Sequence, residues 1–151
     1  MSPKVDLGLL IKSLSPSSTV TVPDADFPCW YGNWTNYNLQ TPLAVVRPTS
    51  EADILTTIRF AAANSLRASG RGGGHSPFNT VEGGIVIDLA AYAAVRYNEA
   101  SKTITVQGGA KNGDVIAALA MNDRCTCIPP PFPISFAGVK LVCADVCVVC
   151  A

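Results

Sequence analysis

The residues best equipped for chemistry in this 151-residue chain lie in one short stretch, Gly70-Arg71-Gly72-Gly73-Gly74-His75-Ser76. It packs four glycines into five residues and ends at the one histidine of the chain. Glycine has no Cβ, so a run of it lets backbone N–H groups converge on an anion and approach it closely. Eleven basic residues balance eleven acidic ones, so a phosphate would find little surplus side-chain charge here. A backbone nest supplies what the side chains do not. The bland alternative is a flexible turn between two strands.

Register separates this stretch from other glycine-rich motifs. A dinucleotide fingerprint beginning at Gly70 and Gly72 needs glycine where His75 stands, and Ser76-Pro77 does not open a helix. A Walker loop needs Gly-Lys, a dipeptide the chain lacks. A nucleophile elbow on Ser76 needs glycine two residues on, where Phe78 stands. A metal site on His75 would lack partners nearby, since Glu82 and Asp88 lie on or beyond the next turn.

The flanking elements must hold the stretch in place. Residues 3–14 read as a short helix, Thr19 to Val22 as a brief strand, and Trp30 to Gln40 as an aromatic loop. Ala44-Val45-Val46-Arg47 is a strand stopped by Pro48. Thr49 or Ser50 caps the next helix, with Glu51 and Asp53 in the first turn where the helix dipole favours them. Ile54, Ile58, Ala61 and Ala62 form its expected apolar stripe, and it ends near Asn64. Leu66 to Ser69 is a second strand leading into the glycines, which makes a parallel βαβ unit with a right-handed crossover. After a turn at Glu82-Gly83-Gly84, Ile85-Val86-Ile87-Asp88 forms a continuous apolar strand. Val95 to Asn98 and Thr103 to Val106 form a hairpin. Lys111 to Met121 is a helix with Val115, Ile116 and Leu119 as its apolar face. The fold class is α/β (α+β): a small parallel βαβ sheet followed by the start of a mixed or antiparallel sheet.

The balanced charge excludes general electrostatic attraction to nucleic acid or an anionic membrane. No apolar run approaches the roughly 18 residues that span a bilayer. Leu7 to Ile11 is too short for a signal core, which favours the cytoplasm. The sequon Asn33-Trp34-Thr35 would matter only in a secreted chain. Five of the six cysteines fall between Cys125 and Cys150. That clustering marks a compositional break rather than a disulfide framework. The valines between Cys143, Cys147 and Cys150 argue against a zinc site.

The order and spacing of several motifs carry a resemblance. They are Pro42-Leu43-Ala44-Val45-Val46-Arg47-Pro48, Arg59-Phe60-Ala61, Arg71-Gly72-Gly73-Gly74-His75-Ser76, Glu82-Gly83-Gly84-Ile85-Val86-Ile87-Asp88-Leu89, Val106-Gln107-Gly108-Gly109-Ala110 and Gly113-Asp114-Val115. From about Trp34 to Met121 the chain resembles the FAD-binding domain of the p-cresol methylhydroxylase and vanillyl-alcohol oxidase superfamily, most closely its berberine-bridge-enzyme-like branch. The resemblance implies that Gly72, Gly73 and Gly74 hold the FAD pyrophosphate through backbone amides. His75 matches the family histidine bonded to the flavin 8α-carbon, Ser76 orients the loop, and Arg71 packs or pairs locally. The expected function is FAD binding in a flavin-dependent oxidoreductase acting on a small molecule. The alternative is a non-catalytic fragment or interaction module that does not retain FAD.

The chain is expected to comprise an N-terminal helix and loop over 1–33, a partial FAD-binding domain over 34–122 and a Cys/Pro-rich divergent tail over 123–151. Ile128-Pro129-Pro130-Pro131 follows Cys125 and Cys127 where the family carries a second flavin-linking cysteine and a further glycine stretch. Neither cysteine is assigned a flavin bond, and the tail reads as a non-homologous terminus. No catalytic acid or base is identified, because the family's substrate domain has no counterpart here.

Overall fold

The computed structural model describes residues 5–23, 40–75 and 79–125. The expected loop over 30–40 lies mostly outside them. So do Ser76, the sequon and every cysteine except Cys125.

Helix α1 spans Leu7–Ser13, and the Asp6 side chain caps it by accepting from the Gly8 N–H at 2.9 Å. Strand β1 (Thr19–Thr21) precedes β2 (Ala44–Arg47) and helix α2 (Glu51–Ala63). Ser50 is the α2 cap, its Oγ accepting from the Asp53 N–H at 3.2 Å. At the other end, Ser65 takes a left-handed φ of 55°. Its N–H bonds to Ala62 O, and that of Leu66 bonds to Ala61 O at 2.8 Å. This is a Schellman stop with serine where glycine is usual. It moves the next strand. Leu66 serves as the apolar partner of the stop, so β3 begins at Ala68 and runs to Arg71, two residues later than expected at each end.

Strand β4 (Ile85–Asp88) is buried at all four positions, in keeping with its unbroken apolar sequence. It lies at the centre of a four-stranded sheet ordered β1-β2-β4-β3. The strands β2 and β3 of the expected βαβ unit are both parallel to β4, which is inserted between them, and β1 adds antiparallel to the β2 edge. One face of the sheet packs Val46 and Ile85 against Leu10 of α1 and Ala61 of α2. The opposite face buries Val45 and Val86 with Val81.

The buried side of α2 differs from the expected stripe. Asp53, Thr57 and Ala61 are buried, whereas Ile58 and Ala62 are exposed and Ile54 is half-buried. The cause is polar. The Asp53 carboxylate accepts from Ser15 N (2.8 Å), Ser15 Oγ (2.7 Å), Ser18 Oγ (3.0 Å) and Ser50 Oγ (2.6 Å), which turns that side of α2 toward the 15–18 turn. The Ser50 hydroxyl and the other donors hold the Asp53 carboxyl far below the usual carboxylate range.

A 3₁₀ turn at Leu89–Ala91 leads to the hairpin of β5 (Val95–Asn98) and β6 (Thr103–Val106). Helix α3 (Asn112–Ala120) packs Val115 and Leu119 on Ile104 and Val106. Ile116, expected on this face, is 52% exposed. Val115 and Leu119 are one turn apart and suffice to cover a two-stranded ribbon; Ile116, about 100° further round the helix, points away.

Candidate cofactor-binding site

The three parallel strands end together on charged residues. β2 ends on Arg47, β4 on Asp88 and β3 on Arg71. Arg71 pairs with Asp88 in register, and Arg47 stands one residue beyond the Val46–Ile87 pair, opposite Asp88. Alternation along the strands places all three on the face of Val45 and Val86, away from α1 and α2. The Asp88 carboxylate is shared. Its Oδ2 accepts from Arg47 Nε at 3.2 Å and Nη2 at 2.8 Å, while its Oδ1 lies 3.3 Å from Arg71 Nη1 and accepts from Ala90 N at 3.0 Å. Asp88 and Arg71 are buried, and Arg47 is exposed.

The glycine loop leaves β3 directly from this cluster. Gly72 and Gly73 are half-buried, Gly74 is buried with φ +72°, and His75 is half-buried. A left-handed residue in such a run turns successive amides toward one side, the geometry of an anion nest. The loop also opens at the carboxyl ends of parallel strands, where open α/β sheets bind ligands. Three consecutive residues without Cβ put no side chain between an anion and the backbone amides. The site fits the FAD pyrophosphate on these grounds. Arg71, Gly72, Gly73, Gly74 and His75 are thus contiguous at one edge of the sheet. The placement of Ser76 lies outside the described residues.

Two turns brace the site. The chain returns to β4 through Thr80 to Gly84, stitched to residues 40–43. Gln40 N donates to Thr80 Oγ1 (3.1 Å), Thr41 N to Glu82 Oε2 (2.9 Å) and Gly83 N to Thr41 O (2.9 Å). Beyond Asp88, the Gly109 N–H donates to Tyr92 O at 2.9 Å, and a Cβ there would overlap the Leu89 carbonyl. Tyr92 OH donates to Glu51 Oε1 at 2.8 Å, which ties this turn to the start of α2 and raises the Tyr92 pKa.

Asp88 and Arg47 did not emerge as candidates from sequence. Their signal was a charged residue at the last position of each of the three parallel strands. It becomes legible once β4 is known to lie between β2 and β3. Among the described residues, no group of His, Cys, Asp and Glu could hold a metal ion. No helix among them is long and apolar enough to cross a membrane.

Residues 42–136 match the FAD binding domain family. The match takes in Cys125 to Phe136, a stretch assigned above to the divergent tail. An FAD-linked oxidoreductase of Aspergillus fumigatus, hasG, is 37% identical over 119 residues, covering 78% of this chain and 25% of that protein. The crystal structure of 6-hydroxy-D-nicotine oxidase from Arthrobacter nicotinovorans superposes with a TM-score of 0.66 at 30% identity, covering 72% of this chain and 25% of the other. A structure of a berberine bridge enzyme variant gives a TM-score of 0.65 at 25% identity, covering 77% of this chain and 26% of the other. The chain spans about a quarter of the length of the curated relatives it matches. It belongs to the FAD binding domain family, within the p-cresol methylhydroxylase and vanillyl-alcohol oxidase superfamily that includes the berberine-bridge-enzyme-like proteins, and its cofactor is FAD.

Proposed function

We propose that Gly72, Gly73 and Gly74 hold the FAD pyrophosphate through their amides and that His75 is the covalent attachment point at the flavin 8α-carbon. One observation carries this reading. Three Cβ-less residues, one of them at φ +72°, leave the carboxyl end of β3 and run straight into His75. Arg71 anchors the loop through Asp88, and Ser76 keeps the loop-orienting role that the resemblance gives it. Bound FAD supplies a two-electron acceptor. We assign to the protein a flavin-dependent oxidoreductase activity on a small organic molecule. The zero net charge supports a reading without nucleic acid or membrane partners.

The test is direct. The purified chain is precipitated in acid, and the pellet is examined for flavin absorbance and fluorescence. Flavin is expected in the wild-type pellet and absent from that of His75→Ala. A colourless protein that also takes up no added FAD would sink the whole reading. Flavin that is bound but released by acid would remove the covalent role of His75 and leave the loop assignment standing.

A further inference from the structure

We infer that Arg47 is a second anchor for the FAD diphosphate, supplying the formal positive charge that the glycine loop lacks. This rests on reading that loop as the pyrophosphate site. The charge count at the strand ends is uneven: two guanidinium groups face one carboxylate. The Arg71 and Asp88 side chains are 8% and 2% exposed, so that pair is buried and mutually neutralised. The Arg47 side chain is 52% exposed, and the surplus charge therefore sits where the site meets water.

Position and orientation agree with that role. Arg47 and Arg71 flank Asp88 on neighbouring strands and on one face of the sheet, so their backbones are two strand spacings apart, about 10 Å. The glycine loop starts one residue beyond Arg71. Arg47 spends its Nε and one Nη2 donor on Asp88 Oδ2, which fixes the guanidinium plane. A guanidinium carries five N–H donors, and those on the Nη1 side remain directed away from that carboxylate. This is a preoriented fork of the kind that suits phosphate oxygens.

The plainer role, a surface partner that neutralises Asp88, explains less. Asp88 already has Arg71 and the Ala90 N–H on Oδ1. A half-exposed ion pair contributes little to stability in any case. The chain as a whole is neutral, so a local cation is the available source of attraction for a dianion.

Reversible binding is measured in the His75→Ala background, with FAD and with ADP as a diphosphate probe that has no flavin ring. Arg47→Gln should weaken both about tenfold, the worth of a charge-assisted hydrogen bond, and flatten the salt dependence. Arg47→Lys keeps the charge but loses the fork, and should recover the salt slope and part of the affinity. Unchanged ADP binding in Arg47→Gln would overturn the inference, as would equal losses in the Gln and Lys variants, because a purely structural fork would fail in both. Failure of the parent protein to bind FAD or ADP would instead bring down the pyrophosphate reading and this inference with it.

Discussion

Arg71 Nη1 lies 3.3 Å from Asp88 Oδ1 at the carboxyl ends of two neighbouring parallel strands, with both side chains almost wholly buried. Arg71 is also the last residue before the glycines, so this pair fixes the point from which the loop departs. A buried charge is tolerable here because its counter-charge is in register beside it, and removing one partner strands the other.

Asp88→Asn should therefore cost about 3 kcal/mol, read as a lower midpoint in urea unfolding. The double change Arg71→Met with Asp88→Leu should recover part of that loss, because no unpaired charge is then buried. It should not recover flavin retention. A single variant within about 0.5 kcal/mol of wild type would show that Arg71 does not depend on this carboxylate.

Gly74→Ala tests the loop itself. With φ at +72°, a Cβ costs about 1–2 kcal/mol, a strain that relaxation would relieve by turning the amides out of the nest. FAD affinity should fall about tenfold or more, while the protein still melts as a folded domain. Wild-type affinity in Gly74→Ala would mean that the amide geometry at this residue does not hold the cofactor.

Much of this arrangement was legible in the sequence, and the reasons differ by element. The strand Ile85 to Asp88 is a local signal, an apolar run, and stands where expected; of the glycine stretch, Gly70 and Arg71 belong to β3, and Gly72 to His75 follow it. The start of β3 and the buried side of α2 were set by tertiary partners. Leu66 was drawn into the Schellman stop at Ser65, and Asp53 turned inward because Ser15 and Ser18 approach it from some 35 residues away in sequence. Periodicity cannot see such a partner. Arg47 and Asp88 escaped notice for a related reason: their relation exists only once β4 lies between β2 and β3.

The Asp53 cluster carries a pH dependence of known sign. Hydrogen bonding from Ser50 and Ser15 lowers its pKa in the folded state. Its contribution is therefore full above the ordinary carboxylate pKa of about 4 and lost progressively as pH falls below it. Asp53→Asn should destabilise the protein at pH 7 by about 1–2 kcal/mol, near the lower end for hydrogen bonds to a charged group because the cluster lies close under the surface. Urea midpoints of the two proteins should converge between pH 4 and 2. A gap that stayed constant across that window would contradict the assignment.

Gly109, in the turn before α3, and Gly113, in the first turn of that helix, offer the sharpest contrast between two glycines. A Cβ at Gly109 would overlap the Leu89 carbonyl and lie 2.8 Å from Tyr92 O, both backbone atoms that cannot swing aside. At Gly113, on the exposed side of the first turn of α3, a Cβ meets nothing within 4 Å. Gly109→Ala should cost about 3 kcal/mol through forced backbone displacement, whereas Gly113→Ala should stabilise by about 0.5–1 kcal/mol through helix propensity and a less free unfolded chain. The displaced segment is the 3₁₀ turn that begins at Asp88, whose Oδ1 caps it through Ala90 N. Gly109→Ala should thus lower flavin retention as well as stability, although Gly109 is distant in sequence from the glycine loop. Retained flavin in a destabilised Gly109→Ala protein would show that the turn supports the fold without positioning Asp88.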